Sequence, residues 1–317
     1  MKSALAPALV LLLALVLGHE AAADVPRFAP AAIELDRDTP PPGRAELGFD
    51  AGAPVEGVAV SVSLGLLDTP LLLRTTDGTS RPIDRRVTLG LGAAIGLGPA
   101  VVLDARMPVS RQTGDRLTAL GDDRALDRWV PGDLRIGGRL RVVSTADADA
   151  LLRAELTLPT GDDRDFAGDP SWTVAWSLVA RFRLPAGIVV AGSGGIRLRG
   201  EEVIVFDRLV GDELHGAIGV AVPIPPVRPL WCVPEQVRLT GELVGVLGDE
   251  VGGRSGPSPA EARVGVVTRP RDWLDVGVRI GTGLGDQIGS PSWRATVELT
   301  FRPILQTLPR ATVQELE

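Results

Sequence analysis

Between Ser171 and Pro185 the chain reads SWTVAWSLVARFRLP, and its polarity flips from one residue to the next. Trp172, Val174, Trp176, Leu178, Phe182 and Leu184 share one parity. Ser171, Thr173, Ser177, Arg181 and Arg183 share the other, with Ala175, Val179 and Ala180 small or neutral. Successive side chains of an extended strand point to opposite faces, so this stretch predicts a β-strand with one apolar and one polar face. Such a strand has two homes. In a soluble sandwich the apolar face packs inward, whereas in a membrane barrel it faces lipid and the polar face lines the lumen.

The same period recurs along most of the chain. DLRIGGRLRVV sets Leu134, Ile136, Leu140 and Val142 against Asp133, Arg135, Arg139 and Arg141. LLRAELTL sets Leu152, Ala154, Leu156 and Leu158 against Arg153, Glu155 and Thr157. WLDVGVRIG sets Leu274, Val276, Val278 and Ile280 against Asp275 and Arg279. SWRATVELTFR sets Trp293, Ala295, Val297, Leu299 and Phe301 against Arg294, Glu298 and Arg302. Weaker versions cover 58–66, 87–97, 101–109, 188–198, 214–222, 237–247 and 262–267, and helical spacing is nowhere sustained. The expected fold is all-β.

The connections discriminate between the two homes. Tight turns at 97–100, 144–149, 184–187 and 269–272 alternate with long polar loops around 112–131, 160–170, 200–211, 248–258 and 284–291. Short turns at one end and long loops at the other predict an up-and-down antiparallel transmembrane β-barrel, its short turns periplasmic. The count comes to about twelve strands, or about fourteen if RAELGFD (44–50) joins the sheet. A soluble periplasmic sandwich or lipocalin-like binding protein is the rival. Trp172, Trp273 and Trp293 fall near strand ends, where barrels place interfacial aromatics, although Trp273 lies on the polar parity.

The N-terminus predicts export. Lys2, an apolar run from Ala4 to Leu17 and the small residues Ala21-Ala22-Ala23 read as a secretory signal peptide over 1–23. Next come a Pro-rich periplasmic leader (24–43), the barrel (44–303) and a periplasmic tail (304–317). With no later apolar run long enough for a helix, membrane crossing must be by strands. The expected address is the outer membrane of a Gram-negative bacterium, with its lipid as partner. The net charge of −7 argues against a nucleic-acid partner. No lysine follows Lys2 and neither Asn nor Tyr occurs, a pattern that a GC-rich genome explains. Arginine abundance is therefore not itself a functional signal.

The run PGDLRIGGRLRVV, followed by AELTLPTGDDRDFAGDPSWTVAWSLVARF, resembles the barrels of the phenol-degradation (MetA-pathway) transporter family. It also resembles the N-terminal barrels of myxobacterial OmpA-like proteins, in the GDL strand start and the LPTGD strand end. DTPLLLR and LGLGPAVVLDARMPVS fit the first hairpins of the same group. The resemblance implies an outer-membrane barrel with a transport role and carries over no catalytic residue. The peptidoglycan-binding domain of OmpA-like proteins has no counterpart in the sequence ending at Glu317. WRATVELTF, ending on Phe301, resembles the C-terminal signal read by the barrel-assembly machinery, the expected partner during insertion.

Catalytic chemistry has little material. His215 is the only histidine beyond the signal peptide, and the absence of Asn removes one hydrolase arrangement. Glu213 shares its parity, but a solvated or ion-paired lumen residue is the better reading. Cys232, the sole cysteine, sits in the proline-rich connection 223–236, expected to form a rigid periplasmic corner. With His215 it falls short of a zinc set. GDDRDFAGD groups Asp162, Asp163, Asp165 and Asp169 without the closing Glu of a calcium loop, so a solvated extracellular loop is expected. GSGG and GTGLG precede no helix and predict relief of crowding in a curved sheet rather than nucleotide binding. No enzyme, metal or cofactor is expected. If the apolar parity faces lipid, Arg106, Arg139, Arg153, Glu155, Glu242, Arg279 and Glu298 line the lumen at mid-strand. Charged linings select ions and polar solutes, which predicts a narrow or gated channel for small solutes. The alternative is a closed structural barrel whose lumen is filled by salt bridges.

Overall fold

A computed structural model describes residues 27–28, 57–75, 78–98, 100–115, 126–205, 208–224, 236–248, 250–251, 254–255, 258–285 and 289–302. Its core is twelve long strands. In chain order they are β1 (Gly57–Thr75), β2 (Gly78–Gly96), β3 (Val101–Thr113), β4 (Leu134–Ser144), β5 (Ala148–Leu158) and β6 (Thr173–Arg183). β7 (Val189–Arg199), β8 (Glu213–Ile224), β9 (Gln236–Gly248), β10 (Ala260–Arg271), β11 (Leu274–Gly283) and β12 (Trp293–Phe301) complete the set. Each pairs antiparallel with its sequence neighbours. β12 returns to β1, from Trp293 opposite Asp68 to Phe301 opposite Val60. The sheet is closed, so no long strand leaves an unpaired edge. The count is twelve, and residues 44–50 lie outside those described. The signal peptide, Cys232 with its corner, the tail and all of the leader but Arg27–Phe28 lie outside them too.

Alternation decides which side chains go where. Along β6, Thr173, Val179 and Arg181 are buried while Leu178 is 52% exposed and Phe182 53%. The apolar parity therefore points away from the barrel axis. Around the wall Leu91, Leu103, Ile136, Ile218, Leu243, Val264 and Ile280 do the same. Inside, the buried set is dominated by arginines, carboxylates, serines and threonines. This is the reverse of a soluble protein, where exposed apolar surface on this scale is not tolerated. The inverted distribution matches a wall solvated by hydrocarbon.

Aromatic rings mark both rims. Trp172 and Trp293 are exposed at the end that carries the long loops. Trp273 lies at the opposite rim, in the turn between β10 and β11, and its ring stacks on Phe301 with centroids 6.2 Å apart. Its parity is irrelevant because it belongs to a turn. Trp129 adds another exposed indole at the loop rim, on a short strand, Trp129–Pro131, paired to β3.

β1 and β2 run for 19 residues each, well beyond the periodic stretches 58–66 and 87–97. Their outer halves hold Pro70 and Pro82, which interrupt a strand reading of the sequence. The pairing accommodates this region by register shifts between Asp68 and Leu71 and between Leu71 and Leu73, with Thr69 at a φ of 46°. Within the β7–β8 loop, Val203–Val205 and Arg208–Val210 form a small hairpin. The backbone of Arg27–Phe28 pairs in parallel with its first strand.

Candidate functional site: the charged lumen

Two charged walls face one another across the axis. On β3, β4 and β5, alternate positions bring Asp104, Arg106, Arg135, Arg139, Arg153 and Glu155 inward. Arg106 Nη2 donates to both oxygens of Glu155, at 3.0 and 2.7 Å, and Arg153 Nη2 donates to the same carboxylate. Arg139 Nε lies 3.5 Å from Asp104 Oδ2. On β9 to β12 a second network is built from alternating signs. Arg294 Nη2 donates to Glu261 Oε1 at 2.8 Å and Arg263 Nη2 to its Oε2 at 3.1 Å. Arg279 lies between Glu242 at 3.9 Å and Glu298 at 3.5 Å.

All seven residues expected at mid-strand thus face inward, in three groups. Arg106, Arg153 and Glu155 meet in one cluster, Arg139 joins Asp104 beside it, and Glu242, Arg279 and Glu298 meet across the lumen. Asp104, Arg135, Glu261, Arg263 and Arg294 belong to these walls equally and are absent from the mid-strand selection, as is Arg197 on β7. Of these, Arg135 and Arg294 stand on the polar parity of the alternating stretches, whereas the others are not singled out there. Their height depends on strand tilt and stagger, which parity does not encode.

Between the walls lies a cavity of about 90 Å³. Arg106, Arg153, Glu155, Glu242 and Arg279 line it, while Arg139 and Glu298 do not. β6 and β7 turn the small residues Ala175, Ser177, Val179 and Ser193 toward it, together with Arg197. Gly195 belongs to the same patch: a Cβ there would run into the Trp176 carbonyl and come within 2.7 Å of His215 Nε2. Within the GSGG run it is Gly195 that makes this close approach of strand and imidazole, while a Cβ on Gly194 would meet open space. His215 lines the cavity, but Glu213 is committed to Arg197 at 2.7 Å and to Arg199 at 3.6 Å.

The 159–172 loop departs from expectation. It is not a solvated excursion, because Phe166 and Ala167 are buried at 2% and 5% exposure. Its tip lies on the inward parity of β2 and β3. Arg86 Nη1 donates to the Phe166 carbonyl at 2.6 Å, and Gln112 Nε2 donates to that of Asp165. Arg128 binds Asp162 and Asp165, and Arg199 Nη1 binds Asp169 Oδ1 at 2.7 Å. The aspartates that suggested an open loop instead hold it down. Buried Asp133 closes the clasp, accepting from the amides of Gly161 at 2.9 Å and Asp169 at 2.6 Å. The two limbs of the loop cross at glycine on glycine. A Cβ on Gly161 would sit 2.6 Å from the Ala167 carbonyl oxygen and 2.8 Å from Gly168 Cα. Gly161→Ala is expected to cost about 1–3 kcal/mol at this crossing, as overpacking does. Amide exchange at Gly161 and Asp169 should then speed up roughly tenfold or more relative to the strands, since about 1.4 kcal/mol is a factor of ten. Unchanged exchange would mean that the crossing does not hold the loop.

No family model matches the chain, and no curated protein matches it either. The likeness to the phenol-degradation transporters rests on its short motifs alone. Solved structures do match. The crystal structure of an outer-membrane channel from Pseudomonas putida F1 superposes with a TM-score of 0.57 at 15% identity, covering 79% of this chain and 96% of that one. The KdgM porin gives a TM-score of 0.44 at 9% identity, over 77% of this chain and 98% of that one. The CymD monoaromatic hydrocarbon channel gives 0.41 at 9%, over 87% and 97%. At its identity the first match bears on architecture, and it establishes that this chain shares the barrel fold of a solved outer-membrane channel.

Proposed function

We propose that the protein is an outer-membrane channel of a Gram-negative bacterium, exported by its signal peptide, that lets small hydrophilic solutes cross a narrow lumen. One observation carries the reading. A closed barrel clad in apolar side chains encloses a cavity walled by charged ones. Apolar cladding suits lipid, and a charged lining suits water and polar solutes. A cavity of about 90 Å³ argues for ions and small molecules rather than large ones. The shared fold with an outer-membrane channel supports the same location.

Fractionation and electrophysiology test the two halves separately. The mature chain should fractionate with outer membranes, require detergent for extraction and migrate on gels in a heat-modifiable way. Purified protein in a planar bilayer should give discrete conductance steps. A folded, inserted barrel that conducts nothing would leave the location standing and sink the channel. A soluble periplasmic protein would sink both.

A further inference from the structure

Few side chains of this sequence have an ordinary titration point near neutral pH. Beyond residues 1–23 it holds one histidine, His215, one cysteine, Cys232, and no lysine or tyrosine. Arginine keeps its proton throughout the accessible range, and ordinary carboxylates have largely lost theirs by about pH 5. An imidazole ordinarily titrates near about 6.5, between the two.

The fold brings that one imidazole into the cavity. His215 is the third residue of β8 and lines the space between the charged walls. Its cross-strand neighbours are uncharged, Gly195 on β7 and Val246 on β9. Because Gly195 has no side chain, the ring can pack with Nε2 only 2.7 Å from where a Cβ would stand. On its own strand the inward parity carries one other charge, Glu213. On β7 it carries Arg197 and Arg199, and on β9 Arg238 and Glu242. Glu213 pairs with Arg197 and Arg199, and Glu242 lies against Arg279. The charged residues across the cavity, such as Arg106, Arg153 and Glu155, are likewise arginines and a glutamate. Among the described residues that line it, His215 is thus the one whose ordinary titration falls between pH 5 and pH 8.

We infer that His215 is a selectivity-determining residue of the lumen, moving it toward anions when the imidazole is protonated. The inference rests on the reading of the barrel as a channel. Below its titration point the ring brings one positive charge into a cavity of about 90 Å³, and above it the ring is neutral. Low-dielectric walls focus the field of a charge on whatever passes, and charged linings select ions by sign. The arginines and glutamates supply a background that does not change over this range, so a pH profile of selectivity has His215 as its source.

The test places the purified barrel, without a histidine tag, in planar bilayers under a potassium chloride gradient from pH 5 to pH 8. The chloride-to-potassium permeability ratio should rise roughly threefold or more as the pH falls, in a one-proton step. His215→Gln should flatten that profile, and His215→Arg should flatten it at the anion-preferring end. In micelles the imidazole signal, the only one expected from a chain processed after residue 23, should titrate by NMR with the same midpoint. An imidazole that does not titrate between pH 5 and pH 8, or a profile that persists in His215→Gln, overturns the inference. If His215→Gln loses its heat-modifiable folded form, the smaller His215→Ala decides by the same readout. Conductance with a pH-independent ratio would sink the inference and keep the channel, and no conductance at any pH would sink both.

Discussion

Leu178→Arg is expected to abolish most membrane insertion. Leu178 projects from the middle of β6 and is 52% exposed, in the belt of apolar side chains that the channel reading assigns to lipid. An arginine near the bilayer midplane of a barrel costs about 2–4 kcal/mol. At about 1.4 kcal/mol per factor of ten, that shifts the folded fraction by one to three orders of magnitude. Ser177→Arg, one residue away, should insert normally, because Ser177 faces the lumen. Its cross-strand neighbour is Arg153, so the variant should also lose conductance by narrowing the cavity. Cysteines at positions 174, 176 and 178, in a Cys232→Ser background, extend the test. They should be reached by lipid-tail quenchers, while cysteines at 175 and 177 should react with water-soluble thiol reagents. If the even positions make no contact with lipid, the outward face covers something other than a bilayer.

Glu155→Ala should be the most damaging change inside the barrel. Its carboxylate receives both Arg106 and Arg153, and its side chain is 6% exposed. Without it Arg106 and Arg153 lose the carboxylate they share. Removing one partner of a buried ion pair costs about 3–5 kcal/mol, because the remaining charge stays buried. Glu298→Ala should cost less, since Arg279 retains Glu242. Urea unfolding in micelles measures both. Adding Arg106→Ala to Glu155→Ala should recover part of the loss, and a double variant no more stable than Glu155→Ala would mean that the pair is not coupled. The expected order, with Glu155→Ala below Glu298→Ala, depends on Glu155 holding two arginines, Arg106 and Arg153, at once. Equal losses would remove that asymmetry.

Several elements were readable because they follow from period alone. The strand at 173–183 fell within its alternating stretch, and its apolar residues turned outward as the barrel reading required. The short connections at 97–100 and 184–187 landed at one rim, which local polarity and turn residues suffice to indicate, while the turn expected at 269–272 lies at Asp272–Trp273 because β10 runs on to Arg271. Other elements were obscured by local chemistry that tertiary contacts override. Pro70 and Pro82 hid the outer halves of β1 and β2, where bulges accommodate them. Four aspartates in nine residues read as a solvated loop until Arg86, Arg128 and Arg199 converged on that stretch from three other parts of the chain. Those arginines are 30 to 80 residues away from the partners they bind, beyond any local pattern.

The sequence by itself determined the all-β architecture, the two faces of each strand and the presence of charge on the inner one. A period of two assigns every residue to one side of a sheet, whichever neighbours it later meets. The closed twelve-strand circuit, the heights at which charges meet and the space left over were decided only in the tertiary structure. Register and stagger set Arg106 against Arg135 and lay the small residues of β6 and β7 beside them. Those quantities are relations between strands, and no single strand contains them.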